Sequence, residues 1–426
     1  IVMVLSCVLA VWSAEDIVIG DFEADSYGDW KVEGKAFGEY PAKGTLENQM
    51  QVSGYRGKTA FLQIVDNASG GWGHINVDQI SQSDTPKEKK PVPANQTLPV
   101  PEQVRRIEIT GKYLIFPVAN KSIRRGRMRI TIDDQLVHRL DCDFPLDKDG
   151  VDWWTYLDMS EYKGETAEVA AQAAPEICEM FESSDEIRHL QPLYDEPYRP
   201  QFHMSQMRGW NNDPNGMVYY DGQYHFFWQC NPAGWKWANM YWGHATSPDM
   251  IHWTEQDRAL RPFGGDIENR HPSMAVKNCF SGSGNVDLYN TAGWQKGREK
   301  TLVLAFTDTG CGESLAYSND RGRTWKYYEG NPVIRHSGRD PKLIWYEPGR
   351  HWVIAVFDEN QEHGKNIAIY TSDNLKEWKH ESNIPGYFEC PEIFELPVDG
   401  DPMSTRWVIY AADAQYAMGT FDGKTF

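Results

Sequence analysis

Four segments of one kind punctuate the second half of this chain. They are Ala245-Thr-Ser-Pro-Asp-Met-Ile-His-Trp253, Ala316-Tyr-Ser-Asn-Asp-Arg-Gly-Arg-Thr-Trp325, Ile369-Tyr-Thr-Ser-Asp-Asn-Leu-Lys-Glu-Trp378 and the weaker Gly419-Thr-Phe-Asp-Gly-Lys-Thr-Phe426. Each joins a strand-like run to a polar turn with an Asp, and ends on an aromatic. The terminal aromatics Trp253, Trp325, Trp378 and Phe426 are 72, 53 and 48 residues apart, near the length of a four-stranded propeller blade. Four unrelated hairpins would also carry Asp turns, but the shared Ser/Thr-x-Asp…Trp core favours true repeats. Between them run QYHFFWQC, TLVLAFTD, HWVIAVFD, NIAIYTS and RWVIYAAD, with no long amphipathic helix. That pattern predicts an all-β region of about four blades. A propeller protects its edges by closing on itself, so either the ring has four blades or the chain stops before the ring is complete.

The 426 residues correspond to about three domains at ~150 residues each. Charged residues are 24% and hydrophobic ones 40%, which excludes a disordered chain and a membrane protein. Lys+Arg 42 against Asp+Glu 61 leaves −19. A surface that acidic argues against nucleic acid, anionic membranes and polyanions as partners. The 17 Trp and 21 Tyr suit a β-rich protein, either filling its cores or stacking on flat sugars. Seven Cys are scattered without a C-x-x-C pair, which disfavours a zinc site, a thioredoxin-type motif and a disulfide framework.

Upstream, four stretches differ in texture. Residues 1–14, beginning IVMVLSCVLA, read as the remnant of a secretory leader, implying a secreted or periplasmic protein. A buried first strand and a lipoprotein Cys7 are the alternatives. Residues 15–84 are rich in Gly and aromatics and form a small β module. Residues 85–103, TPKEKKPVPANQTLPVPEQ, are a Pro/Lys-rich linker. Residues 104–195 are a second β module, with strand-like YLIFPV, RMRITIDD and WWTYLDM and one helix expected within 165–190. The repeat region then occupies 196–426.

Three acids stand at the heads of different repeat units. Trp210-Asn-Asn-Asp-Pro-Asn-Gly216 places Asp213 before Pro214, which favours an extended backbone, among amides that can donate to it or to a sugar. Ser337-Gly-Arg-Asp-Pro-Lys342 places Asp340 before Pro341 and beside Arg339, which is expected to favour its charged form. Tyr387-Phe-Glu-Cys-Pro-Glu-Ile393 places Glu389 in an apolar context that would raise its pKa and suit a general acid. Each alone is an ordinary turn or strand edge. Together, on inner strands that converge, they supply the two carboxylates of glycoside hydrolysis and a third acid to hold hydroxyls.

GWNNDPNG, SGRDPK and FECPE, with FWQCNP, WANMYWGHA and CFSGS in order between the first two, resemble the motifs of glycoside hydrolase family 32, the invertase, inulinase and levanase family. The resemblance covers roughly 200–426. It implies a five-bladed β-propeller followed by a β-sandwich, with the last blade and the sandwich not matched in this chain. It implies Asp213 as nucleophile, Glu389 as acid/base and Asp340 as transition-state stabiliser. It places Trp210, Asn212, Gln229, Trp237, Phe280, Ser281 and Arg339 around a fructose pocket. The implied reaction is retaining, with the Asp213 and Glu389 carboxyls ~5–5.5 Å apart. Ala238 and Cys230 depart mildly from the family pattern.

DFEADSYGDWKVEGKAFGEYPAKG and GGWGHINVDQI resemble a shortened lectin-like module of bacterial levanases. Fructan or sucrose is the implied substrate, without a metal or organic cofactor, and no oligomeric state is read from the chain. A non-catalytic fructan-binding fragment is the alternative. The Asp-box at Ser318–Trp325 also occurs in sialidases, but no arginine triad with a Tyr nucleophile is evident, and a propeller serving only as an interaction scaffold would have no use for the acids.

Overall fold

In the computed structural model, residues 101–120, 125–188, 193–200, 202–262, 278–360 and 362–426 are described, together with the backbone of five short strands upstream. The chain divides into two compact units, Ile1–Pro93 and Ala94–Phe426.

In the first unit, β1 (Val2–Cys7) pairs antiparallel with β3 (Lys31–Val32) and β4 (Ala60–Val65), and β2 (Ile17–Gly20) pairs with β5 (Ile80–Gln82). The stretch read as a leader remnant thus contains a paired strand. Most of the 15–84 module and of the linker lies outside the described residues.

The second unit opens with two sheets. One has the order β6 (Gln103–Glu108), β11 (Thr166–Ala171), β8 (Gly126–Ile132), β9 (Gln135–Cys142). The other has the order β10 (Trp153–Asp158), β7 (Tyr113–Val118), β12 (Glu182–Ser184). Met128, Ile130 and Ile132 alternate inward while Arg127 and Arg129 face water, the period of a strand with one buried face. The helix expected within 165–190 shrinks to one turn, α1 (Pro175–Cys178). Thr166–Ala171 is a strand because Ala167, Val169 and Ala171 pack into the core while the backbone pairs with both β6 and β8. Non-local pairing there outweighs the helix propensity of Ala.

Four antiparallel meanders follow. They are β13 (Trp210–Tyr220), β14 (Gln223–Asn231), β15 (Tyr241–Ser247) and β16 (Thr254–Glu255); β17 (Cys279–Asp287), β18 (Thr301–Asp308), β19 (Gly312–Ser318) and β20 (Lys326–Tyr327); β21 (Arg339–Tyr346), β22 (His351–Asn360), β23 (Gly364–Ser372) and β24 (Lys379–Pro385); and β25 (Glu392–Val398), β26 (Asp401–Tyr410) and β27 (Tyr416–Gly419). The first strands β13, β17 and β21 pack on one another in succession. Strand alternation gives each sheet two apolar faces. Leu304 and Phe306 point to the first meander, and Val303 and Ala305 to the third. Trp352, Ile354 and Val356 pack back on the second, while Val353, Ala355 and Phe357 pack on the fourth. Sheets stacked by both faces, with their first strands inward, have the layout of consecutive propeller blades.

Three of the four repeats share one bond. Trp253, Trp325 and Trp378 each donate Nε1–H to a turn carbonyl three residues back, on Met250, Gly322 and Leu375, at 3.1, 3.0 and 2.8 Å. Asp249 accepts the Ile251 and His252 amides, and Asp320 accepts the Thr324 amide. In the third repeat Asn374, not Asp373, accepts the turn amides, from Lys376 and Glu377.

Candidate active site

The three inner strands share one irregularity. Register shifts fall between Asn211 and Pro214 in β13, between Cys279 and Gly282 in β17, and between Arg339 and Lys342 in β21. A bulge bends a strand and re-aims its side chains. Asn212 and Asp213, Phe280 and Ser281, and Asp340 all lie within these bulges. Asp340 has φ +68°, and Glu389 and Cys390, just before β25, have φ +55° and +43°. Non-glycine residues held there cost about 1–3 kcal/mol each, and such strain collects at functional sites.

The bulges bring the predicted residues together. Ser281 Oγ donates to Asp213 Oδ2, and Gln229 Nε2 donates to Ser281 Oγ. Asn212 Nδ2 donates to Asp213 Oδ1 at 3.1 Å and to Gln229 Oε1 at 3.3 Å. The Cys390 amide donates to Asp340 Oδ2 at 3.2 Å, and Cys390 Sγ lies 3.5 Å from Asp340 Oδ2 and 4.0 Å from Asp213 Oδ2. Cys390 therefore joins the head of the fourth meander to both aspartates. Arg339 Nε donates to Glu389 Oε1 at 3.1 Å and Nη2 contacts the same oxygen. The guanidinium stacks over Phe357 and Phe388. Trp237 packs edge-on against Phe280, centroids 6.2 Å apart. Trp210, at the start of β13, pairs across to Asn231.

Two electrostatic expectations are corrected. Arg339 was expected to hold Asp340 charged, but its guanidinium turns to Glu389 and its Nε lies 3.9 Å from Asp340 Oδ2. Asp340 is 6% exposed. Burial dominates and pushes its pKa up to about 7, against the opposing Cys390 amide and Arg339 charge. Glu389 was expected in an apolar context; it is paired with a cation and only partly buried.

The raised carboxyl gives a stability prediction. A group whose folded pKa exceeds its unfolded value contributes stability that is full below the unfolded pKa and is lost as pH rises through the folded one. For Asp340 that window runs from 3.8 to about 7. Asp340→Asn is therefore expected to melt above the parent at pH 8, by at most about 4 kcal/mol, with the gap closing by pH 4. Thermal unfolding at both pH values checks this; a variant less stable than the parent at pH 8 contradicts it.

Sequence reasoning missed Cys390 and a layer beneath Asp340. The Asp340 amide donates to Thr307 Oγ1 at 2.8 Å, and Thr307 Oγ1 donates to Glu313 Oε2 at 2.9 Å. His336 Nε2 meets Glu313 Oε1 at 2.8 Å. Burial lowers the His336 pKa, but Glu313 and Asp358 outweigh it and the net shift is upward. Cys390 stood beside a chosen acid and could have been found; Thr307 sits in an apolar strand run with no signal of its own.

The model of the Glycosyl hydrolases family 32 N-terminal domain matches residues 203–426, which include all four meanders and every acid above. The levanase of Bacillus subtilis is 44% identical over 257 residues, 55% of this chain and 36% of that protein. The extracellular exo-inulinase of Aspergillus niger is 39% identical over 280 residues, 55% of this chain and 50% of that protein. Invertase 2 of Saccharomyces cerevisiae is 35% identical over 256 residues, 54% of this chain and 46% of that protein. The chain thus spans a third to a half of the length of these relatives. With the family model matching more than half of the residues, over the stretch that builds the site, the chain belongs to glycosyl hydrolase family 32.

Proposed function

We propose that residues 196–426 form blades of a five-bladed-type β-propeller that hydrolyses terminal β-D-fructofuranosyl groups of levan, inulin and sucrose with retention. The observation that carries this reading is the convergence of Asp213 and Asp340 on Cys390, with Glu389 next to it and held by Arg339. Asp213 attacks the anomeric carbon while Glu389 protonates the leaving oxygen, forming a fructosyl ester and releasing the remaining saccharide. Glu389 then takes a proton from water, which cleaves the ester and frees fructose. Asp340 and Arg339 hold fructosyl hydroxyls. Asn212, Gln229, Ser281, Phe280, Trp237 and Trp210 line the pocket. Asn212 Oδ1 is buried without a hydrogen-bond partner among the described residues, an acceptor suited to a sugar hydroxyl.

The relatives' names, levanase, exo-inulinase and invertase, share the fructosyl group, and the upstream β modules favour a polymer over sucrose. Action outside the cell membrane accords with the leader-like 1–14 and with the extracellular exo-inulinase. The test is fructose release from levan, inulin and sucrose by the full chain, with the first-formed anomer read by NMR. The expected result is β-fructose, faster from polymer. A folded chain that binds fructan and releases none would make it a binding protein.

A further inference from the structure

The first meander uses only one face against its neighbour. Phe227 and Trp242 point to the second meander. On the opposite face, Trp228, Cys230, Tyr241 and Ala245 enter the core built by residues 107–181 of the preceding β module. The loop between β14 and β15 lies at this seam and carries Trp237.

That loop is held from the module at both ends and in the middle. Thr155 Oγ1 donates to the Pro232 carbonyl. The Asp143 amide donates to the Ala233 carbonyl at 2.9 Å, and Asp143 Oδ2 accepts the Trp235 amide at 3.2 Å. Arg125 Nη1 donates to the Trp237 carbonyl at 3.1 Å, and its Nε lies 3.6 Å from Asp143 Oδ1. Asn239 and Asp141 exchange two bonds, Nδ2 to carbonyl at 2.6 Å and amide to Oδ1 at 2.8 Å. The fit is tight at Gly234, where a Cβ would stand 2.4 Å from Asp143 Oδ2. Inside the loop, Asn231 Nδ2 donates to the Lys236 carbonyl and Asn231 Oδ1 accepts the Ala233 amide.

We propose that the 104–195 module is a positioning element of the sugar site, in which Asp143 and Arg125 clamp the 232–239 loop so that Trp237 stands against Phe280 for contact with the substrate. Asp143 is buried, so its bonds to the loop are shielded from water and hold it more firmly than surface bonds would. Trp237 is 48% exposed beside Phe280, and a ring so placed has a free face for a sugar. The module then affects substrate affinity without touching the acids. This inference rests on the fructosidase reading.

The experiment uses the full chain with Asp143→Ala, the conservative Asp143→Asn, and Arg125→Met as a milder variant should Asp143→Ala not fold. KM for sucrose should rise about tenfold in Asp143→Ala with a smaller change in kcat, and Asp143→Asn should recover part of the loss. Combined with Trp237→Ala, Asp143→Ala should raise KM no further than Trp237→Ala alone, because the clamp acts through that ring. Hydrogen exchange in 232–239 should quicken in the Asp143 variants. Unaltered KM, or KM effects that multiply with Trp237→Ala, overturn the proposal. A melting shift without a KM change assigns Asp143 a purely structural role and overturns it as well. A parent that releases no fructose overturns the fructosidase reading and the kinetic half with it; exchange in 232–239 still decides whether the clamp exists, and unaltered exchange overturns it.

Discussion

Asp213→Asn is expected to cut kcat for fructose release by about 10⁴-fold or more, with the melting temperature close to the parent's. Asn matches Asp in shape; its one oxygen can still accept from Asn212 Nδ2, and its amide NH2, standing in place of Oδ2, can donate to Ser281 Oγ once that hydroxyl turns its proton away. On the proposed mechanism, what is lost is the anionic oxygen that forms the ester. Without it the anomeric carbon has no partner on its open side, and the remaining groups supply binding and charge stabilisation only. Kinetics on sucrose and levan, with thermal unfolding as control, measure this. A variant within tenfold of the parent would remove Asp213 from the chemistry.

Glu389→Gln is expected to lose about 10²–10⁴-fold on sucrose, the range of general acid–base catalysis. The loss should shrink on an activated aryl fructoside, whose leaving group needs no proton. Gln keeps an oxygen for Arg339, so the guanidinium stays seated between Phe357 and Phe388. A variant equally slow on both substrates would assign Glu389 to positioning rather than proton transfer.

The sheets were legible because their code is local. Alternating apolar strands and Asp turns closed by a Trp can be read within a few dozen residues, and the Trp Nε1–H bonds show that three of the turns are one device. The acids were legible through short motifs around prolines. Their electrostatics were not, because charge state depends on what is far away in sequence. Arg339 is adjacent to Asp340 in the chain yet pairs with Glu389, fifty residues on. Asp340 is buried by neighbours from other strands, which sets its pKa more than the adjacent cation does. The 165–190 helix is cut to one turn, Pro175–Cys178, for the same reason: alanines are helix formers locally, but β6 and β8 were waiting on either side of Thr166–Ala171. The clamp on the Trp237 loop joins residues about a hundred apart, and no local pattern announces it.

The central claim, that Asp213 becomes covalently bonded to the fructosyl group, is open to direct observation. Glu389→Gln given an aryl fructoside should form the ester readily and hydrolyse it slowly, since the base that activates water is gone. Intact mass spectrometry should then show the chain heavier by one fructosyl group, with the label mapping to the peptide around Asp213. An unlabelled chain that still turns over the aryl fructoside, or a label on another residue, would contradict the account.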